Sequence, residues 1–151
     1  GCRVYEDRPS SCRTYPLIRV ASRSRETGTV AEQYMLLKET HCLGCQQGQN
    51  WTVREWIENQ EIAVYNQMND MFMEIIGLKH RLLPGPLDIK SSFMFHLACY
   101  DLDTFRSHIF DKDLPGNWKP GPKTLEALKH DDVELLKLGF KWVKETLFGK
   151  T

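Results

Sequence analysis

Ser11-Cys12-Arg13-Thr14-Tyr15-Pro16-Leu17-Ile18-Arg19-Val20, the polar turn Arg25-Glu26-Thr27-Gly28 and a second apolar run, Tyr34-Met35-Leu36-Leu37, form the stretch on which the fold turns. Tyr15, Leu17, Ile18 and Val20 are β-favouring side chains beside Arg19, so residues 15–21 predict a strand. Residues 22–29 are polar and turn-forming, with Gly28 as the flexible point. Residues 30–42 predict a second strand that pairs back on the first as an antiparallel hairpin.

Downstream, Thr52-Val53-Arg54-Glu55 has the form of a capping box: the threonine hydroxyl accepts from the Glu55 amide while the Glu55 carboxylate reaches back. Val53, Ile57, Val64, Met68, Phe72 and Ile75 then recur at helical spacing. They predict one long amphipathic helix, Thr52–Ile76, laid across a face of the hairpin and ended by a left-handed Gly77. Residues 78–83 predict a short edge strand closed by Pro84-Gly85-Pro86. The dense apolar run Ser92–Tyr100 fits a buried strand or a buried helical segment, since periodicity does not separate the two. A short helix is expected at 102–110, a loop at 113–121 and another helix opening at Pro122. The last helix is capped by Asp131 or Asp132, carries a stripe of Val133, Leu136, Phe140, Val143 and Leu147, and stops at Gly149. The fold class is therefore α+β: an antiparallel sheet, one long packed amphipathic helix and further C-terminal helices, within a single domain spanning 1–151.

A chain of 151 residues can bury a substantial core. Twenty basic and twenty acidic side chains cancel, so no global field selects a polyanion or a membrane, and any such site must be a local patch. No run approaches the roughly 18 apolar residues that span a bilayer. Five cysteines leave one over after pairing, which points to reduced thiols and a reducing, intracellular setting. Asn50-Trp51-Thr52 is a glycosylation sequon in form.

Three kinds of chemistry have candidates. His41, Cys42 and Cys45 lie within five residues, and Cys2 and Cys12 of the N-terminal arm are available to complete the four ligands that zinc holds in a tetrahedron. Zinc there would staple a small interaction module that recognises a partner protein through apolar surface such as Phe93–Tyr100. His96 and Cys99, three apart, would share a face of a helix, the arrangement of a Cys/His enzyme site. Arg13, Arg19, Arg23 and Arg25, interleaved with Tyr15 on the first strand and its turn, are a candidate phosphate grip for RNA.

The order of these features resembles the motif 2 region of class II aminoacyl-tRNA synthetases, the threonyl and prolyl branch in particular. There, a Ser-aromatic-Arg strand with Leu-Pro-Leu-Arg runs into Arg-x-Glu and a Ser-Gly turn; here the matching residues are Ser11 to Val20 and Arg25-Glu26-Thr27-Gly28. The likeness covers about the first half of the chain and implies a second antiparallel strand, a helix and another strand. In the threonyl enzymes a cysteine before motif 2 and a histidine ending the second strand bind zinc, and Cys2 and His41 match those places. Arg25 and Glu26 are adjacent rather than one residue apart, and motifs 1 and 3 are missing. The resemblance thus implies a degenerate, non-catalytic paralogue or a fragment, with RNA or a protein assembly as partner and a cytoplasmic or mitochondrial setting, in the manner of ribosomal or polymerase accessory subunits.

Overall fold

The structure, a computed structural model, describes residues 3–40, 48–111, 114 and 121–149. Among these the chain runs α1 (Ser10–Thr14), β1 (Leu17–Arg23), β2 (Val30–Leu36), α2 (Val53–Asn59), α3 (Ala63–Leu82), α4 (Ile89–Cys99), α5 (Leu102–Asp111), α6 (Pro122–Leu128) and α7 (Asp132–Phe148). The α+β class stands, with a two-stranded antiparallel sheet, the long α3 and a set of C-terminal helices. The residues fall into two compact units that divide within α3, the first ending at Asp70 and the second beginning at Met71. No helix of the described residues is long and apolar enough to cross a membrane.

In the first unit, β1 and β2 pair from Leu17 opposite Leu36 to Arg23 opposite Val30. The turn closes through the Ser24 amide donating to the Thr29 carbonyl at 2.8 Å, and the Ser24 hydroxyl accepts from the amides of Glu26 and Thr27. Gly28 sits at φ +70°, the left-handed conformation that the turn needs and glycine adopts without strain. Along β1 the alternation is reversed from the usual one. Ile18 and Val20 are exposed, while Arg19 is largely covered.

The capping box forms as the sequence predicts. The Thr52 hydroxyl accepts from the Glu55 amide at 3.2 Å, and the Glu55 carboxylate accepts from the Thr52 amide at 2.8 Å. Those bonds to its charged form hold the Glu55 carboxyl below the usual carboxylate range. The single helix expected at 52–76 is instead two. α2 ends at Asn59, Glu61 takes φ +55°, and α3 starts at Ala63. The break is a Schellman motif: the Ile62 amide donates to the Ile57 carbonyl (3.0 Å) and the Glu61 amide to the Glu58 carbonyl (3.2 Å). Ile62, 1% exposed, is the buried residue that follows the reversal.

Gly77 does not stop α3, and the expected edge strand at 78–83 is helix as far as Leu82. Ile75 and Leu78 are both buried, so continuing the helix keeps core contacts that a break at Gly77 would lose. The strand that the synthetase order places after the helix is therefore absent from these residues.

The second unit is helical. The ambiguous run at 92–100 resolves as α4, capped by Asp88, whose carboxylate accepts from the Ser91 amide at 3.0 Å. α7 is capped by Asp131, which accepts from the amides of Val133 (2.9 Å) and Glu134 (3.0 Å). Its buried face centres on Leu135, Gly139 and Trp142, with Phe140 and Val143 beside them, about one residue away from the expected stripe. The core joins these to Met94, Leu97 and Ala98 of α4, Phe105 of α5 and Leu128 of α6. The Phe105 and Trp142 rings lie 5.6 Å apart, and Phe72 packs between Phe95, Tyr100 and Phe140 at about 6 Å. Arg106 ties α5 to α6 and α7 by donating to the Leu128 carbonyl at 3.0 Å and to Asp132.

Candidate functional site

The four arginines read as a phosphate grip stand in different settings. Arg13 lies on α1, not on the strand, and its guanidinium donates to the carbonyls of Glu6 (2.7 Å), Arg8 (3.1 Å) and Gln60 (3.3 Å) and to the Glu61 carboxylate (3.3 Å). Arg19 forks both Nη atoms onto Asp70 at 2.8 and 2.9 Å and donates from Nε to Glu32 at 2.7 Å. Its hydrogen bonds to Asp70 raise its basicity above the already high value of a free arginine, so it stays charged throughout the working pH range. Arg23 is half-buried at the end of β1, with its guanidinium near Gly28, and Arg25 in the turn is exposed. A positively charged stripe in the sequence is thus, for Arg13 and Arg19, a pair of internal fasteners.

Cys2, His41, Cys42 and Cys45, the expected zinc ligands, lie outside the described residues. Among the described residues no group of three or more His, Cys, Asp or Glu side chains is arranged to hold a metal ion.

His96 and Cys99 both fall on α4, but they differ in surroundings. His96 is exposed, its ring 5.9 Å from that of Tyr100. Cys99 is partly buried, and burial pushes its thiol up to about 12, so at neutral pH it carries no thiolate. A thiol is a weaker nucleophile than its thiolate, so chemistry at Cys99 would need a base to take its proton. Iodoacetamide at pH 8 is expected to alkylate exposed Cys12 in the native protein and to reach Cys99 only after denaturation. Peptide mass mapping checks this, and equal native rates at the two sites would contradict it.

The surface feature that stands out is on the same helix. Ile89, Phe93 and His96 follow one another at i, i+4 and i+7 along one face of α4, and Tyr100, the residue that caps the helix, comes four positions on. Ile89 is 91% exposed, Phe93 57% and Tyr100 63%, while Met94, Leu97 and Ala98 on the opposite face are buried. Leu82 and Leu83, just before α4 in the chain, are also exposed. Basic residues lie near these positions in sequence, Lys79, His80 and Arg81 in the last turn of α3 and Lys90 in the first turn of α4, together with Asp88 just before Ile89 and Asp101 just after Tyr100. The Lys79 ammonium donates to the Gly85 carbonyl and so ties the end of α3 to the loop that leads into α4. Sequence inspection singles out the run 92–100 as apolar; the periodic signal that separates its exposed stripe from its core face begins earlier, at Ile89.

Comparison of the chain with protein-family models, with curated proteins and with solved structures found no match.

Proposed function

We propose that this protein works by binding, as an interaction module whose α4 stripe receives the apolar face of an amphipathic, acid-flanked helix from a partner protein. The observation that carries this reading is the exposure of Ile89, Phe93 and Tyr100 on one line. Aromatic and aliphatic groups held in water along a rigid helix mark an association surface, because burying them is the favourable step that folding has left undone. From Ile89 to Tyr100 is eleven residue steps, about 16 Å along the helix, and the stripe is one side chain in width, which suits a single helix laid alongside it. Lys79, Arg81 and Lys90 favour acidic residues at the margins of that helix. Nothing in this reading requires zinc.

A second reading, the synthetase-like RNA-binding role, keeps one observation in its favour: Arg25 stands exposed in the hairpin turn, where it is free to meet a phosphate. Site-specific photocrosslinking in cells separates the two. With a benzophenone-bearing phenylalanine in place of Phe93, adducts are expected on peptides from an amphipathic, acid-flanked helix, and Phe93→Asp should lower recovery of that complex roughly tenfold or more. The same probe in place of Arg25 should give no RNA adduct. RNA adducts at 25 with none on protein at 93 would reverse the ranking, and a complex insensitive to Phe93→Asp would remove the α4 reading.

A further inference from the structure

The break between α2 and α3 has no local cause in the sequence. No glycine or proline occurs from Val53 to Ile76, and the apolar spacing runs straight through. Yet Glu61 occupies the left-handed region, which costs a non-glycine residue on the order of 1–2 kcal/mol. Glycine or asparagine usually takes that place in a Schellman motif. The force that holds the break must come from elsewhere.

It comes from the N-terminal segment. The Arg13 guanidinium sits on the Gln60 carbonyl, one of the acceptors that the end of α2 leaves over, and on the Glu61 carboxylate. Its other donors hold the Glu6 and Arg8 carbonyls, so the same group folds residues 6–13 around itself. It also lies over the Tyr65 ring, 5.8 Å from its centre, in the first turn of α3. Arg8 adds a second tether, Nη2 to the Gln60 side-chain oxygen at 2.7 Å. The Trp56 indole of α2 donates to the Thr14 carbonyl at 3.2 Å. Apart from the two bonds to the Glu6 and Arg8 carbonyls, which order the segment itself, each of these contacts joins residues 6–14 to the break or to the elements that border it.

We infer that residues 6–14 are a releasable lock, which keeps α2 bent away from the start of α3 and whose removal lets Asn59–Ala63 become helical, joining the two into one continuous helix. The straight form satisfies the helix-coding pattern and relieves the strain at Glu61. The bent form wins only while Arg13 and Arg8 are in place and Ile62 is buried. A partner that takes the N-terminal segment, or a protease that removes it, would thus change the shape of this region. The inference stands apart from the α4 reading, since it concerns different residues.

Backbone NMR of the full chain tests it. In the wild-type protein the Cα shifts of Gln60, Glu61 and Ile62 should interrupt the helical run; in Arg8→Ala/Arg13→Ala they should turn helical and close the gap. Adding Glu61→Gly, which makes the left-handed conformation inexpensive, should restore the interruption. Unchanged shifts at 60–62 in the double variant would overturn the lock. So would a general loss of helical shifts across α2, which would make the two arginines ordinary structural supports.

Discussion

Gly139→Ala is expected to destabilise the protein by about 2–3 kcal/mol, although it replaces a poor helix former with the best one. A Cβ at this position would lie 2.3 Å from the Ala98 carbonyl oxygen and 3.2 Å from its carbon, far inside van der Waals contact and against backbone rather than a movable side chain. α7 and α4 are therefore in close backbone contact at Gly139 and Ala98, and the added methyl forces them apart there, beside the buried Leu97, Phe140 and Val143. Helix propensity returns roughly 1 kcal/mol, too little to reverse the sign. Gly77→Ala supplies the matched control. Gly77 lies within α3 and has nothing within 4 Å of a built Cβ, so the same change there should stabilise by up to about 1 kcal/mol. Urea denaturation of the two variants should show midpoints moving in opposite directions from wild type. If both rise, α4 and α7 do not approach as closely at Ala98 as the structure has them.

The parts of the fold legible in the sequence are those whose cause is local. β1 and β2 follow from two β-favouring runs around a polar turn with Gly28, and α2 and α7 begin at residues whose side chains cap them, Thr52 and Asp131. The misreadings share a different origin. Gly77 after an apolar stripe looks like a terminator, but burial of Ile75 and Leu78 outweighs the modest penalty of one glycine. The break at Glu61 is invisible because its supports, Arg8 and Arg13, lie about fifty residues earlier. The setting of Arg19 was hidden for the same reason: a charged residue between Ile18 and Val20 reads as solvent-facing until Asp70, fifty-one residues on, is known to meet it. The α4 stripe lay between these cases. Its residues were in view, but only the helix showed which of them face water.

Replacing Arg19 with methionine should cost about 2–3 kcal/mol, and the loss should appear in stability before it appears in any binding measurement. The arginine side chain is 10% exposed, and its loss leaves the Asp70 carboxylate, 26% exposed, and the Glu32 carboxylate, 45% exposed, facing each other without a counterion. The figure is held below that of a fully buried pair because water still reaches both acids. The effect extends beyond one bond. Tyr34 donates to Glu32 at 3.2 Å, and Asn66 donates to the Tyr34 hydroxyl at 3.1 Å, so the network fastens both strands to the opening turns of α3. Arg19→Lys should recover only part of the loss, since an ammonium keeps the charge but cannot fork onto both Asp70 oxygens. Arg19→Met combined with Asp70→Leu should be more stable than either single change, because the pair is worth less than the charge that one change strands. Salt discriminates further. The difference between wild type and Arg19→Met should persist in 0.5 M sodium chloride, whereas an exposed pair such as Arg54 with Glu58 would be screened. If Arg19→Met instead left the unfolding midpoint untouched and weakened RNA binding with a flatter salt dependence, the residue would be a phosphate contact after all, and the hairpin rather than α4 would be the working surface.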